Sequence, residues 1–320
     1  MTVDIAAVAR ISNEVLDEVC RAVVGKRSLL EKIMTAALAG GHVLLEDFPG
    51  LGKTLIARSF AVTLGLDFKR IQFTPDLLPA DITGGYIYNR ADNRFELRKG
   101  PIFTNILLAD EINRASPKTQ SALLEAMQEY QVTLEGDSMR LLQPFQVIAT
   151  QNPIEYEGTF PLPEAQLDRF LVKLSVGYPS TTEEQEILKR RQQRQQDEVT
   201  LNAIIDADTL LQMRQTVETV YLDPDLERYI VTLVAETRRD RRIAVGASPR
   251  ASLALLKLSR ANAAIQGRSF VIPDDIKTYI YPVLIHRLIL QPEYWMKQEV
   301  ASDVIEIITK TVPVPVLEGG

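Results

Sequence analysis

At 320 residues, with 46% hydrophobic and 24% charged side chains, the chain has the make-up of a globular protein long enough for two packed cores. Thirty-six basic against 42 acidic side chains leave a formal net charge of −6, opposite in sign to the footprint of a dedicated nucleic-acid binder, so nucleic acid is not the expected partner. The one cysteine, Cys20, excludes an intrachain disulfide, and together with His42 and His286 it supplies too few ligands for a zinc site.

A reducing cytoplasm is the expected setting. The N-terminus, Met1-Thr2-Val3-Asp4-Ile5, lacks a basic segment followed by an apolar core, and no apolar run approaches the ~20 residues that cross a bilayer, so neither secretion nor a membrane span is expected.

From Ile5 to about Leu38 apolar residues recur at three- and four-residue intervals (Val15, Val19, Ile33, Ala37), which predicts two helices broken at Val24-Gly25. His42 to Glu46 is a short apolar strand, followed by a Gly- and Pro-rich turn and helical spacing from Leu55 to Leu64. Ile71 to Phe73, Ile106 to Ala109, Phe145 to Ala149 and Leu171 to Leu174 are further short apolar runs, with a helix predicted from Thr119 to Tyr130. Such strands, buried on both faces, imply a mainly parallel sheet covered by helices on both sides. Gly85 to Leu97 and Gln131 to Leu141 alternate in character and predict hairpins, turning at Asp92-Asn93 and Gly136-Asp137. Beyond Tyr178-Pro179-Ser180 the strands stop, and Thr182 to about Lys310 reads as helices punctuated by Asp223-Pro224, Ser248-Pro249 and Pro273-Asp274. The expected domains are therefore 1–179 and an all-α 180–320. The charged run Lys189 to Glu198 reads as a solvated helix face, and Thr311 to Gly320 as an extended tail.

The segment from Glu46 to Thr54 sits between a predicted strand and a predicted helix. Its glycines let backbone N–H groups wrap phosphates, the helix N-terminus adds its dipole, Lys53 supplies a mobile cation, and the Thr54 hydroxyl can ligate Mg²⁺. The strict pattern G-x-x-x-x-G-K-[ST] asks for glycine where this chain has Asp47, a departure that weakens the match, although Gly50 and Gly52 keep the backbone free closest to the phosphates and the Asp side chain can point away. Asp110-Glu111 follow the apolar strand Ile106 to Ala109 directly. In a Walker B reading Asp110 holds Mg²⁺ through water and Glu111 polarises the attacking water; alone, such a pair is more often a turn or a cap. Asn152 lies just past another buried strand at the same end of the sheet, where an amide can reach the γ-phosphate, or else it forms a plain Asn-Pro turn.

In order, P-G-x-G-K-T, L-L-A-D-E-I-N-R-A, A-T-Q-N-P and L-P-E-A-Q-L-D-R-F resemble the MoxR branch of AAA+ ATPases from about Val23 to Pro179. In that family Asp at the position of Asp47 is tolerated. The resemblance implies an α/β fold, an AAA+ P-loop αβα core with a parallel five-stranded sheet plus a smaller all-α lid, with hairpin insertions. It implies ring assembly, usually hexameric, with ATP and then ADP bound between neighbours. By matching position, Arg169 resembles the arginine finger and Arg250 the sensor-2 arginine, in cis or in trans. Arg114 is left between an interface role and a surface salt bridge. Val23-Val24-Gly25 precede the core by the distance at which relatives contact adenine, or else Gly25 is merely a helix stop; the expected nucleotide set is Val24, Gly25, Pro49, Gly50, Leu51, Gly52, Lys53, Thr54 and Leu55, with Thr54 and Asp110 for Mg²⁺. His42 and His286 read as structural.

These observations converge on a Mg²⁺-dependent, ring-forming ATPase. The resemblance adds remodelling or metal-loading of client proteins and a partner bearing a von Willebrand factor A domain. The rival readings are a metal-chelatase motor subunit, a nucleic-acid motor using hairpin cations such as Arg90, Arg94, Arg98, Lys99 and Arg140, and a nucleotide-gated scaffold. The scaffold is disfavoured because Glu111 and Arg169 are both present.

Overall fold

The computed structural model describes residues 3–152, 159–295, 297 and 299–315. In chain order the elements begin with α1 (Ile5–Ala22), α2 (Arg27–Leu38), β1 (His42–Glu46), α3 (Lys53–Thr63), β2 (Phe68–Gln72), α4 (Pro79–Thr83), β3 (Gly84–Asn89) and β4 (Arg94–Lys99). They continue with β5 (Ile106–Asp110), α5 (Pro117–Glu129), β6 (Gln131–Leu134), β7 (Asp137–Arg140), β8 (Gln146–Gln151), α6 (Glu164–Leu167) and β9 (Phe170–Leu174). The remainder is α7 (Thr181–Arg194), α8 (Ala207–Glu218), α9 (Pro224–Glu236), β10 (Ile243–Val245), α10 (Pro249–Ile265), α11 (Pro273–Leu284), β11 (Ile289–Leu290) and α12 (Glu299–Thr311).

Local chemistry starts several of these helices. The Asp4 carboxylate accepts the Ala7 N–H at 2.7 Å, and Ser116, Asp223 and Ser248 cap α5, α9 and α10, each with proline in the first turn, where no intrahelical donor is lost. Ser180 and Glu183 form a reciprocal capping box on α7, whose side chains are not buried, as the charged run predicts.

The five-stranded sheet has the order β2-β5-β8-β1-β9 with every pairing parallel. All five residues of β5 are buried, because helices cover both faces of the central strands. Each fully buried aliphatic there contributes about 1.5–3 kcal/mol relative to exposure. One apolar core joins α1, α2 and α3 to one sheet face and continues into α8 through α11; a second fills the opposite face against α5. The N-terminal helices are thus the packing partner of both the sheet and the C-terminal helices.

Two hairpins, β3–β4 and β6–β7, stand where alternation predicts them. The second turns at Glu135-Gly136, one residue before the expected Gly136-Asp137, since a two-residue turn needs positive φ at both central positions, here 49° and 97°. The C-terminal region is not wholly helical: β10 and β11 pair antiparallel, and Tyr221 bridges Phe270. These strands are two and three residues long, too short to show periodicity. Thr311, expected in an extended tail, closes α12, and residues 316–320 of that tail lie outside the described residues. Among the described residues no helix is long and apolar enough to cross a membrane.

His42 is structural, as expected. Its Nδ1 accepts the Val147 N–H at 2.9 Å and its Nε2 meets the Met127 carbonyl at 3.0 Å, so the buried ring is held neutral with the proton on Nε2 and joins β1 to β8 and α5. Burial, with the Arg214 charge adding to it, outweighs the Met127 carbonyl and pushes the imidazole down to about 4. The unfolded chain, titrating near 6.5, therefore binds more protons between the two values, so stability is full above about pH 6.5 and falls by about 3 kcal/mol toward pH 4 from this ring alone. Urea unfolding at about pH 5 should accordingly show lower stability than at about pH 7.5, with a smaller difference in His42→Gln. An unchanged difference in the variant would count against the buried neutral ring.

Candidate active site

The loop after β1 gives the site its shape. Gly50 and Gly52 have φ of 84° and 80°, and a Cβ on either would meet nothing within 4 Å, so backbone conformation rather than crowding calls for glycine. Gly52 is the N-cap of α3 and no side chain caps that helix, which leaves its first amides directed at an incoming anion. Lys53 Nζ donates to the carbonyls of Asp47 (2.6 Å) and Phe48 (3.0 Å), which places the ammonium against the loop. Burial lowers its pKa below the ordinary lysine range, an effect partly offset by the charges of Asp47, Asp110 and Glu111.

Asp47, the departure from the glycine pattern, points away from the loop. Its Oδ2 accepts from Ser175 Oγ (2.7 Å) and Gly177 N–H (2.6 Å), and its Oδ1 from Phe48 N–H (2.9 Å). Burial pushes this carboxyl up, but the bonds from Gly177, Ser175 and Phe48 together win and hold it below the usual carboxylate range. The residue therefore ties the phosphate loop to the chain leaving β9.

Asp110 and Glu111 are held by groups from two neighbouring strands. Thr150 Oγ1, on β8, accepts the Glu111 N–H at 2.8 Å and donates to Asp110 Oδ1 at 2.6 Å, so one hydroxyl orients both residues. Arg70 and Gln72, on β2, act from the other side. Arg70 donates to Asp110 Oδ2 at 2.7 and 3.1 Å and to Gln72 Oε1 at 2.8 Å, while Gln72 Nε2 donates to Glu111 Oε2 at 2.7 Å. Arg114 completes the chain by pairing with Glu111 Oε2 at 3.1 Å. Glu111 itself has φ 55° and ψ 50°, a left-handed conformation that disfavours a non-glycine residue and that recurs at functional sites. Asn152, just past β8, is buried, and its carbonyl accepts from Asn113 Nδ2 at 3.4 Å.

These side chains meet at the carboxyl ends of β1, β2, β5 and β8. A cavity of about 460 Å³ there is lined by Gly50, Gly52, Lys53, Thr54, Asp110 and Glu111, with Pro49, Leu55, Arg70, Gln72 and Asn152 around them. Leu51 lies outside it, packed against the apolar core, and so does Gly25, whose Cβ would run into Glu183. Val24 does not line it either. Arg70, Gln72 and Thr150 were not legible as site residues. The alternation of exposed Arg70 and Gln72 around buried Ile71 was the available signal, because it points two long polar side chains along one face of an edge strand.

Arg169 and Arg250 lie at the other end of the sheet. Arg169 immediately precedes β9, which runs parallel to β1 with His42 opposite Phe170, so it sits at the amino-terminal edge, about 15 Å of strand from the loop that holds Lys53. Both arginines line a cavity of about 290 Å³ with Gly41, Met127, Tyr130 and Lys257. Arg169 Nε is shielded from solvent and has no hydrogen-bond partner among the described residues.

A parallel P-loop sheet in the order found here, carrying the paired carboxylates and a helical lid, defines an AAA ATPase. Residues 42–172 match the ATPase family associated with various cellular activities (AAA), and residues 235–308 match the AAA lid domain. The chain is 50% identical to YeaC of Bacillus subtilis over 94% of each chain. It is 43% identical to the chaperone MoxR1 of Mycobacterium tuberculosis, over 93% of this chain and 81% of that one. With the MoxR protein of Methylorubrum extorquens it shares 30% identity over 93% of each. A crystal structure of a proposed ATPase from Cytophaga hutchinsonii superposes with a TM-score of 0.89 at 41% identity, covering 97% of this chain and 96% of that one. The chain belongs to the MoxR family of AAA ATPases.

The anchoring of the loop by Asp47 is open to test. Asp47→Gly restores the glycine pattern but removes three hydrogen bonds to a carboxylate, so it should lower stability by about 2–4 kcal/mol and weaken nucleotide binding. Denaturant unfolding and fluorescent-nucleotide titration read the two effects, and a variant that binds more tightly would show the carboxylate to be dispensable.

Proposed function

We propose that the chain is a subunit of a ring, hexameric by the family's habit, that hydrolyses Mg²⁺-ATP at its subunit interfaces and uses the cycle to remodel, activate or metal-load client proteins. The observation that carries this reading is the convergence of Lys53, Thr54, Asp110 and Glu111 on one cavity while Arg169 and Arg250 stand at the opposite end of the sheet. Cations so placed serve hydrolysis by reaching a neighbour's nucleotide.

The residues suit a magnesium nucleotide. The amides of the loop and Lys53 would bind the β- and γ-phosphates of ATP or ADP, and the hard oxygens of Thr54 and Asp110 would hold the ion. Among the described residues no group of three His, Cys, Asp or Glu side chains is placed to hold a metal ion, so phosphate oxygens and water would complete its shell. The ion would neutralise phosphate charge. Glu111 accepts the proton of the attacking water, and it can do so once Gln72 and Arg114 share or release Oε2. Asn152 meets the same cavity and can orient that water.

The chaperone name of the MoxR1 relative supports the client role, and the family resemblance suggests a partner with a von Willebrand factor A domain. A nucleic-acid motor is less well supported. Arg94, at the β3–β4 hairpin, is already paired with Asp92 and Glu96, which reduces the charge left for phosphate backbones.

Lys53→Ala should abolish nucleotide binding, whereas Glu111→Gln should keep ATP bound and block turnover, which excess EDTA should also stop in the unmodified chain. Equal loss of affinity in both variants, by fluorescent-nucleotide titration, would refute the assignment of Glu111 as base.

Assembly gives a separate prediction. Specific activity should rise with protein concentration as rings form, and Arg169→Ala subunits mixed with Lys53→Ala subunits should recover turnover, since a mixed interface pairs an intact loop with an intact finger. A finger contributes on the order of 10³ or more in rate, so partial recovery stands above background. Concentration-independent activity without recovery would sink both the finger and the ring.

A further inference from the structure

A buried charge cluster lies behind the two arginines and takes no part in the cavity around Lys53. Arg287, in the chain following α11, has a side chain only 3% exposed. Its Nε donates to Asp168 Oδ1 at 2.7 Å, Nη2 to the Phe170 carbonyl at 2.7 Å, and Nη1 to the Leu171 carbonyl at 3.3 Å and to the Val283 carbonyl. His286 beside it meets the same Phe170 carbonyl through Nε2 at 3.1 Å. The guanidinium therefore grips the chain on both sides of Arg169.

Asp168 carries the grip onward. Its second oxygen, Oδ2, accepts from Ser248 Oγ at 3.1 Å and lies 3.8 Å from Arg250 Nη1. Ser248 is the N-cap of α10, and Arg250 stands in the first turn of that helix. One carboxylate thus joins the residue next to Arg169, the start of the helix that bears Arg250, and the buried Arg287. A planar fork with several fixed acceptors sets orientation as well as distance, which an apolar contact of the same volume cannot do.

We propose that Asp168 and Arg287 form a positioning clamp that holds Arg169 and Arg250 at a fixed separation, so that one subunit delivers both cations together to its neighbour's nucleotide. The clamp rests on the reading that these arginines act in trans. Neither clamp residue touches nucleotide; each acts through the two arginines. It follows that the C-terminal helices and the loop before β9 move as one body. Losing the clamp lowers turnover in the neighbour while leaving nucleotide affinity in the same subunit intact, because the subunit's own phosphate loop lies at the far edge of the sheet.

The test uses full-length Asp168→Ala, Arg287→Met and the double variant Asp168→Asn with Arg287→Met, the last leaving no charge buried without its partner. ATP affinity is measured with a fluorescent ATP analogue, kcat by phosphate release, and each variant is then mixed with Lys53→Ala subunits. The clamp predicts affinity within about twofold of the unmodified chain, kcat reduced about 10- to 100-fold by misplacement of the cations, and recovery of turnover on mixing. The recovery also shows that the variant subunit is folded, since its own phosphate loop must then be working. Arg169→Ala mixed with Lys53→Ala is the control for trans action. If that control recovers while the clamp variants keep normal kcat, lose affinity or fail to recover, the clamp is overturned and trans action stands. If the control itself fails to recover, trans action and the clamp fall together.

Discussion

In a sheet whose five strands all run parallel, every strand must end at the same edge, and the chain must return each time by a crossover connection. That constraint gathers loops from distant parts of the sequence at one rim. The phosphate loop after β1, Asp110 and Glu111 at the end of β5, and Asn152 after β8 come within one cavity because the parallel register brings these strand ends together. The same constraint assigns residues that precede strands to the opposite rim, where Arg169 lies. A single subunit thus carries the phosphate-loop cavity at one rim and Arg169 and Arg250 at the other.

Within the cavity the decisive energies are electrostatic. Two adjacent carboxylates near a half-buried lysine would be poorly placed without partners, and Thr150 and Arg70 supply them for the two oxygens of Asp110 while Gln72 and Arg114 converge on Oε2 of Glu111. Asp47 shows the same economy. A carboxylate where glycine is usual would burden an anion site, yet three donors draw it toward the chain after β9 and turn it into an anchor.

The C-terminal helices pack against the N-terminal helices as well as against the sheet. They share one apolar core with α1 and α2, and their polar link to the sheet runs through Arg287, His286 and Asp168 at the start of β9. Apolar packing sets how closely the parts approach, while the directional bonds set their orientation. Asp168 and Ser248 thus join the start of α10 to the loop of Arg169.

Much of this was legible in the sequence. The five short apolar runs named the sheet, and the glycine-lysine-threonine turn between a strand and a helix named the phosphate site, because both depend on interactions among neighbours in the chain. The acidic pair after an apolar strand was equally plain. What the sequence left open were contacts between residues far apart in the chain. The ladder brings Arg70 to Asp110, forty positions on, and Asp168 meets Arg287 119 positions on; no local period carries either pair. The surplus acidic charge likewise carried no signal that Asp47 would find its partners in Ser175 and Gly177, some 130 positions on. Local pattern determines which elements form and which chemistry each loop can offer, whereas only the packed sheet decides which charges face one another, because side-chain partnership is a property of distance in space.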